Sequence, residues 1–413
     1  MERFDRFSSS PPRIDALVSL LSMKILFLSR WFPIPPDNGS KIRIYNLLAG
    51  LSQRHDVTLL SFCDQPLPSR EILEQQKICS EIHIVPWKPF DRQSWKARIG
   101  FFSPMPASLV DTHSPQMEML IRLTLEKNKF DLIIASQLTM ASYCSSFQGM
   151  PAMFEELELG SFYEQTFTET HPLKRIRGQL SWIKLQMYLS HLLKAFTSIT
   201  VVSEKERYLF TSHFQSHSDK IKVLPNSINL KEYTNIPVTR KPYHIVFSGS
   251  FTYEPNYSAM VWFINHVFPL VLKQVPDAHL VITGDHAGMP LPSDKNITRA
   301  GNVNDVKSLI GSCDASIVPL WSGGGTRLKI LEAMAIGTPV VATTKGAEGL
   351  SVENGRHILI ADEPGHFAEC VIRLLRQHDL RDRLSLNAKK RMQKVYDWQV
   401  VMPRFLGLVE KLH

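Results

Sequence analysis

Short apolar runs alternate with longer amphipathic stretches along most of the chain, and no other feature restricts its fold as strongly. One series of apolar runs extends from residues 24–29 to 221–224, and a second from 244–248 to 358–360. The runs are continuous and rich in β-branched residues, which is typical of parallel strands covered by helices on both faces. Two such series predict an α/β protein with two doubly wound, Rossmann-like domains.

The domain organisation follows from changes in composition along the chain. A polar segment with two prolines separates the two series and predicts a linker. Ligands of open parallel sheets bind beyond the carboxyl ends of the strands, so two facing domains predict a cleft. The last segment has no strand after it and is expected to form a helix that crosses back to the first domain. The predicted segments are an N-terminal extension at 1–22 (with Met23 as an alternative start), a first domain at 23–232, a linker at 233–242, a second domain at 243–396 and a C-terminal helix at 397–413.

The overall composition excludes several classes of protein. Of the 413 residues, 44% are hydrophobic and 21% are charged, which excludes a disordered, collagen-like or coiled-coil chain. The net charge of +8 is mild for this length and comes without a nucleic-acid motif, so we expect no nucleic-acid partner. The excess of positive charge is compatible with an anionic ligand or a membrane surface.

The cysteines and the N-terminal region indicate the cellular compartment in which the protein is expected. The five cysteines are scattered and form no CxxC or CxxxH pair, which favours reduced thiols in a cytoplasmic protein and predicts no metal site. The most apolar N-terminal stretch, residues 14–32, is interrupted by charged side chains. It therefore predicts neither a membrane-spanning helix nor a signal peptide.

A glycine-rich turn lies in the segment 315–341, between a predicted strand and a predicted helix. Gly323, Gly324 and Gly325 permit close approach of a ligand to the backbone. Thr326 follows as a candidate helix cap. Free backbone N–H groups at the start of a helix favour an anion, so this turn is a candidate phosphate site.

Two cations, Arg327 and Lys329, follow the turn in the first part of the predicted helix. Positive charge at this end opposes the helix dipole by about 0.3–1 kcal/mol for each residue unless an anion binds there. The guanidinium of Arg327 also suits a phosphate geometrically. We therefore predict a phosphate or diphosphate site, the alternative being a structural turn with two solvated basic side chains.

Glu332 lies on the same predicted helix among apolar residues. A carboxylate in such surroundings needs hydrogen-bond partners. Two adjacent hydroxyls of a ribose and an internal ion pair with Lys329 are equally compatible with the helical spacing. The loop after the first strand is a weaker signal, in which Gly39 permits close approach of a ligand and Ser40 is a candidate helix cap.

At these residues the sequence resembles the family 4 glycosyltransferases, from about residue 23 to the C-terminus. The most specific block runs from Leu-Glu-Ala-Met-Ala at 331–335 to Gly-Thr-Pro-Val-Val-Ala at 337–342. The other matching motifs are Gly-Ser at 39–40, Val-Ser-Glu at 202–204, Leu-Pro-Asn at 224–226, Gly-Asn-Val at 301–303 and Gly-Ala-Glu-Gly-Leu at 346–350. The resemblance implies a GT-B fold and transfer of a sugar from a nucleotide sugar, usually with retention of configuration.

The resemblance also implies roles for particular residues. The donor is expected on the second domain and the acceptor on the first. Glu332 matches the carboxylate that holds the nucleotide ribose, and Gly39 the loop beside the diphosphate. Asn302 and Val303 lie where the base is usually bound. The implied donor-binding residues are Gly39, Ser40, Ser250, Asn302, Val303, Gly324, Gly325, Thr326 and Glu332.

Two departures from the family pattern concern charge. The family often has a glutamate at the position of Gly324, and two cations after the first strand of the second domain that are missing here. A diphosphate leaving group still needs positive charge. We therefore predict that Arg327 and Lys329 are the catalytic residues, in a subset of the family that shares the Gly-Gly-Gly-Thr-Arg-Leu-Lys arrangement.

The resemblance further implies that transfer needs no protein nucleophile, no metal and no resident cofactor, and that the nucleotide sugar is a substrate. Glu155, Glu156 and Glu158 follow a strand of the first domain and are candidates for the acceptor side, with a solvated acidic loop as the alternative. Two basic, aromatic stretches at 87–102 and 172–196 are candidate contacts with a membrane or a lipid-linked acceptor. For the second stretch, an ordinary domain helix is the favoured interpretation.

The expected function is thus sugar transfer to a glycan or lipid-linked acceptor in the synthesis of a cell-surface polysaccharide or glycoconjugate. The protein is expected in the cytoplasm, with peripheral contact at the inner face of the membrane. Two alternatives remain at this point. One is a nucleotide-sugar epimerase on the same fold, and the other is a non-catalytic partner subunit with that fold.

Overall fold

The computed structural model describes residues 22–167, 171–325 and 327–412. The predicted N-terminal extension at 1–22 lies outside the described residues, apart from Ser22. The described chain forms two compact units. The first comprises the residues up to Glu156 with Lys184–Ile199 and the chain end from Leu406, and the second comprises Leu157–Ile183 and Thr200–Phe405.

Two sheets organise the described residues. The first has seven strands in the order β3-β2-β1-β4-β5-β6-β7, and the second has six in the order β10-β9-β8-β11-β12-β13. In each sheet the chain starts centrally and crosses over to both sides, which is the doubly wound arrangement. The strands of the first sheet are β1 (Lys24–Ser29), β2 (Asp56–Cys63), β3 (Glu81–Pro86), β4 (Leu132–Ser136), β5 (Ala152–Glu155), β6 (Ser198–Val201) and β7 (Ile221–Val223). Those of the second are β8 (His244–Ser248), β9 (His279–Thr283), β10 (Ile297–Gly301), β11 (Ala315–Val318), β12 (Val340–Ala342) and β13 (Leu359–Ile360).

Helices connect the strands. Those between β1 and β6 are α1 (Gly39–Leu51), α2 (Ser69–Gln76), α3 (Trp95–Gly100), α4 (Ala107–Thr112), α5 (Pro115–Lys127), α6 (Gln137–Ala141), α7 (Gly160–Phe167) and α8 (Pro172–Leu192). The later helices are α9 (Glu204–His213), α10 (Glu254–Trp262), α11 (Phe268–Gln274), α12 (Val306–Ser312), α13 (Leu328–Ile336), α14 (Pro364–Arg376), α15 (His378–Val395) and α16 (Trp398–Val409). A π-helical segment, Phe263–Val267, joins α10 to α11.

Burial explains why the apolar runs form central strands. The four residues from Ile25 to Leu28 in β1 are all fully buried, so both faces of the strand are covered. The recorded strand pairs, such as β1 with β2 and β8 with β11, are parallel. The expected fold class, two doubly wound α/β domains, is therefore confirmed.

The end of the chain belongs to the first unit. Helix α16 begins at Trp398, and the residues from Leu406 onward group with the first unit rather than with the sheet that precedes them. Within that unit, Arg54 Nη1 lies 2.9 Å from Glu410 Oε1. The helix thus crosses back, as expected from the absence of a following strand.

Candidate functional site

The glycine turn follows β11 and leads into α13, and Arg327 is folded into it. Arg327 is buried, and its Nη2 donates a hydrogen bond to the carbonyl oxygen of Gly323 at 2.6 Å. A second bond joins Nη1 to the carbonyl of Gly324. Its Nε is buried without a hydrogen-bond partner among the described residues. Arg327 is therefore not a solvated side chain, and that alternative is wrong for it. Thr326, the predicted cap, lies outside the described residues, and Arg327 itself occupies the N-cap position of α13.

Lys329 lies at the start of α13 and is partly buried. Its Nζ donates a 2.8 Å hydrogen bond to Asn256 Oδ1 and lies 4.3 Å from the centre of the Phe247 ring. Burial, together with the nearby charge of Arg327, lowers the pKa of Lys329 to about 7. A lysine with so low a pKa is only partly protonated near neutral pH, and an anionic ligand would favour its charged form. Lys329 is therefore a candidate for a functional role.

Asn256 links Lys329 to the loop that follows β8. It is buried, and its Nδ2 donates to the carbonyl oxygen of Ser250 at 2.7 Å. The hydroxyl of Ser250 lies 2.7 Å from Thr252 Oγ1. The structure therefore brings the predicted residues Ser250 and Lys329 together through Asn256. Asn256 is not among the residues predicted from the sequence, although its position after the first strand of the second sheet, where the family often has cations, is a signal for it.

Glu332 lies one turn further along α13. Its Oε1 accepts a hydrogen bond from the hydroxyl of Tyr233 at 3.1 Å. Burial raises the pKa of Glu332, while the Tyr233 bond and the charges of Lys307 and Lys329 act in the opposite direction. The hydrogen-bond partner is thus Tyr233, and Lys329 acts on the carboxylate only through its charge. The predicted internal ion pair with Lys329 is wrong.

Two of the three predicted acceptor-side glutamates are held inside the first unit. Glu155 is fully buried in an ion pair whose Oε1 lies 2.6 Å from Arg43 Nε, and it is not part of a solvated loop. Glu156 accepts a hydrogen bond from Gln137 Nε2 at 3.0 Å.

Glu158 lies in the second unit, beside the glycine turn. Its Oε1 accepts hydrogen bonds from the backbone N–H of Gly325 at 2.6 Å and from the hydroxyl of Ser161 at 2.8 Å. No local sequence pattern indicates this contact, because the two partners are 167 residues apart. Gly324 and Gly325 are thus brought together with Glu158.

Gly39 and Ser40 form the beginning of α1 in the first unit. The side chain of Asn38 caps this helix by accepting from the backbone N–H of Lys41 at 3.0 Å. The expected cap at Ser40 is wrong, because the cap lies two residues earlier, at Asn38, and asparagine caps at least as well as serine. The Ser40 hydroxyl instead accepts from Gln137 Nε2 at 3.2 Å.

Asn302 and Val303 follow the carboxyl end of β10. Asn302 is exposed and Val303 is partly buried. Both lie at the edge of the second sheet where its strands end, which is where ligands of parallel sheets bind.

A cavity of about 570 Å³ adjoins the glycine turn within the second unit. Its wall combines aromatic and aliphatic side chains with acidic and basic groups. Among the residues that line it are Glu158, Tyr163, Glu206, Tyr208, Gly324 and Lys345. This volume falls in the range of small-molecule sites.

The described residues lack both a metal-binding cluster and a membrane-spanning helix. They contain no cluster of three or more His, Cys, Asp or Glu side chains that could hold a metal ion. None of their helices combines the length and the apolar character needed to cross a bilayer.

Comparison with protein families decides the class. The model described as "Glycosyltransferase Family 4" matches residues 37–232, and that described as "Glycosyl transferases group 1" matches residues 242–377. The chain belongs to the family 4 glycosyltransferases. This glycosyltransferase is therefore an enzyme by class, and the glycine turn lies in the part matched by the second model.

Curated relatives of this glycosyltransferase are 21% and 27% identical to it over the aligned residues. An uncharacterised 44.6 kDa protein in the cps region of Klebsiella pneumoniae is 21% identical over 91% of this chain and 96% of its own length. A phosphatidyl-myo-inositol mannosyltransferase of Mycobacterium leprae is 27% identical over 47% of this chain and 54% of its own.

Solved structures share the fold. A glycosyltransferase of Rickettsia africae superposes with a TM-score of 0.66 at 13% identity, covering 95% of this chain and 98% of that one. Anabaena HepE in complex with UDP-glucose gives 0.63 at 15% identity, with coverages of 94% and 100%. WaaG, involved in lipopolysaccharide biosynthesis, gives 0.62 at 14% identity, with coverages of 93% and 99%.

Proposed function

We propose that this glycosyltransferase moves a sugar from a nucleotide-sugar donor to a glycan or lipid-linked acceptor, with retention of configuration. The product would belong to a cell-surface polysaccharide or glycoconjugate. Three similarities support this proposal: a protein of a Klebsiella cps region, a mannosyltransferase that acts on phosphatidyl-myo-inositol, and a solved structure that binds UDP-glucose.

The observation that carries the proposal is the pair of cations behind the glycine turn. Arg327 has a buried Nε without a partner among the described residues, and Lys329 is held by a single neutral amide. Neither cation makes a direct ion pair with a carboxylate among the described residues, and the charge of Glu332 only partly offsets the effect of burial on Lys329. Burying two positive groups in this way is unfavourable unless an anion completes the site. A diphosphate supplies that anion and gains negative charge as it leaves the sugar.

The proposed reaction needs no covalent enzyme intermediate. The acceptor hydroxyl attacks the anomeric carbon on the face from which the diphosphate departs, and a phosphate oxygen takes the hydroxyl proton. One C–O bond forms as another breaks, and the products are the glycoside and a nucleoside diphosphate. The protein aligns the two substrates, and Arg327 and Lys329 stabilise the departing charge.

We further propose that neither a metal ion nor a resident cofactor takes part, since Arg327 and Lys329 supply the positive charge at the diphosphate. Transferase activity, measured with a nucleotide sugar that the wild-type protein uses as donor, should then persist in excess EDTA. Loss of activity in EDTA with recovery on adding Mg²⁺ would contradict this.

The decisive experiment is calorimetry with a panel of nucleoside diphosphates. We expect the wild-type chain to bind at least one of them, and Arg327→Ala to weaken that affinity by at least about tenfold, as for loss of a charge-assisted hydrogen bond. Arg356→Ala removes an exposed arginine that pairs with Glu353 and serves as the matched control. Equal affinity of the Arg327 and Arg356 variants would refute the assignment.

Turnover separates this proposal from its competitors. With the donor that binds best, transfer or slow hydrolysis supports a transferase. Epimerisation of the donor without an acceptor would identify an epimerase, and the absence of any turnover with every donor and acceptor would favour a non-catalytic subunit.

We also propose that the protein acts in the cytoplasm at the inner face of the membrane, with contact made by α8. One face of this helix is buried, and a second face is apolar but exposed. The exposed side chains of that second face are Leu173, Ile176, Leu180, Ile183 and Met187. They recur every three or four residues, which gives one continuous stripe.

Positive charge next to this stripe favours an anionic lipid surface. Lys174, Arg175 and Arg177 lie exposed in the first turns of α8. In the first unit, Lys184 Nζ donates to the carbonyl oxygen of Gly100 at 2.5 Å, which joins α8 to the end of α3. Next to this contact Phe102 is 88% exposed. Exposed aromatic and basic side chains together are typical of interfacial helices. The sequence-based preference for an ordinary domain helix thus describes only its buried face.

A further inference from the structure

The space beside Gly324 is filled by a side chain from a distant segment. A Cβ atom built on Gly324 would lie 1.8 Å from Ser161 Oγ and 2.1 Å from Glu158 Oε1. Both distances are far below any real contact, so no residue larger than glycine fits while these two side chains stand there. The carboxylate of Glu158 thus occupies the place that a side chain at position 324 would otherwise take.

Only one of the two carboxylate oxygens of Glu158 accepts hydrogen bonds from the described residues. Oε1 accepts from Gly325 N–H and from the Ser161 hydroxyl, whereas Oε2 makes no hydrogen bond to the described residues. The segment that carries it is fixed by Glu206, which accepts from the backbone N–H groups of Leu159 at 2.8 Å and Gly160 at 3.0 Å. Glu158 is therefore positioned before any ligand arrives.

The chemistry of the neighbouring cavity restricts what Oε2 can meet. A carboxylate repels a diphosphate, so its partner is a neutral part of the ligand that donates hydrogen bonds. Sugar hydroxyls are such donors, and their bonds to a charged acceptor are stronger than neutral ones. The cavity beside Glu158 also presents the rings of Tyr163 and Tyr208.

We propose that Glu158 determines specificity for the sugar of the donor, its Oε2 accepting a hydrogen bond from a hydroxyl of the transferred sugar. In this way the loop after β5 supplies the carboxylate that is missing at position 324. The inference rests on the proposed function, because it requires a nucleotide-sugar donor.

Two ligands test the inference on the folded chain: the nucleotide sugar that the wild-type protein turns over and the corresponding nucleoside diphosphate. Glu158→Gln should weaken the affinity for the nucleotide sugar by at least about tenfold. Its affinity for the nucleoside diphosphate should stay within about twofold of the wild-type value. Glu204→Gln, the same change at an exposed glutamate paired with Arg207, is the control and should leave both affinities unchanged.

A rescue experiment separates a direct role from a structural one. Glu158→Gly removes one of the two obstructing groups at position 324 and also the hydrogen bond that holds the Ser161 hydroxyl there, so that this hydroxyl can rotate away. Gly324 has no positive φ that would bar a side chain. Gly324→Glu alone should reduce turnover, and so should Glu158→Gly alone. The double variant should recover turnover several-fold over either single variant.

The outcomes are distinct. Failure of the double variant to exceed both singles, or equal nucleotide-sugar affinity of Glu158→Gln and wild type, would overturn the role of Glu158 and leave the proposed function standing. If the wild-type chain binds nucleoside diphosphates but no nucleotide sugar, the proposed function fails and this inference fails with it.

Discussion

The charge of Lys329 depends strongly on the surroundings of its side chain. Its folded-state pKa is lowered to about 7, whereas an unfolded chain keeps a lysine near 10.4. Between these values the unfolded state binds more protons, so this residue makes the protein more stable as the pH rises from about 7 towards 10. Below about pH 7 the folded protein carries the full penalty of a partly buried ammonium group.

The first prediction concerns proton uptake. If a diphosphate binds beside Lys329, the ammonium form is restored, so above about pH 7 binding should take up a proton and weaken with rising pH. The slope should approach about tenfold per pH unit. Calorimetry at pH 8 in two buffers of different ionisation enthalpy measures the uptake. Lys329→Arg, which stays charged, should show none, and equal heats in both buffers for the wild-type protein would contradict the prediction.

The second prediction concerns Glu332, which is partly buried with one hydrogen bond from Tyr233. If its carboxylate binds a ribose, Glu332→Gln should weaken the affinity for a ribonucleoside diphosphate by about tenfold, as for loss of a charge-assisted hydrogen bond. The 2′,3′-dideoxy analogue should bind both proteins equally. A similar loss for the dideoxy analogue would mean that Glu332 acts on the fold and not on the ribose.

At the scale of elements, Gly337 ends α13 in the left-handed region, with φ of 97°. Its N–H bonds the carbonyl of Ala333 at 2.9 Å, which closes the helix. An alanine there would be strained, so Gly337→Ala should lower the free energy of unfolding by about 1 kcal/mol or more.

The control for this third prediction is Gly365→Ala. Gly365 lies in the first turn of α14 without a positive φ and with no atom within 4 Å of a built Cβ. Alanine there should be neutral or stabilising by up to about 1 kcal/mol. Chemical denaturation of the two variants measures the difference, and equal effects would contradict the role of the left-handed turn.

Elements with a full periodic pattern were predicted closely, whereas short ones were missed. Strands β1 and β8 have the expected bounds. The six-residue helices α3 and α4 escaped because they complete fewer than two turns and show no clear period.

The helical stretch between β8 and β9 is interrupted by a π-helical segment, Phe263–Val267. Pro269, in the first turn of α11, lacks the N–H that would continue the α-helical bonds. The interruption therefore has a cause in the sequence, namely Pro269, which a pattern of apolar and polar residues does not take into account.

At the scale of the whole molecule, the fourth prediction concerns the exposed stripe of α8. The wild-type protein should float with vesicles that contain anionic phosphatidylglycerol, less so at high salt, and not with phosphatidylcholine alone. Leu180→Glu with Met187→Glu should reduce flotation several-fold, because both side chains are exposed on the stripe. Leu386→Glu, at an exposed leucine of α15, should not. Equal flotation of the α8 and α15 variants would exclude the stripe as the membrane contact.

The sequence by itself determined the fold class, the order of the elements and the position of the glycine turn with its two cations. Each of these depends on a pattern within a few residues: buried runs for parallel strands, helical periods, or glycines before a helix. Local patterns survive folding because neighbours in sequence remain neighbours in space.

Only the tertiary structure decided the partners of these residues. The amide of Asn256 meets Lys329 across 73 positions, and the carboxylate of Glu158 meets Gly325 across 167. Glu155, which the sequence placed beside Glu158 as its equivalent, is instead buried against Arg43. Contacts of this kind depend on how loops at the ends of different strands are brought together, and no periodicity within a single segment encodes that geometry.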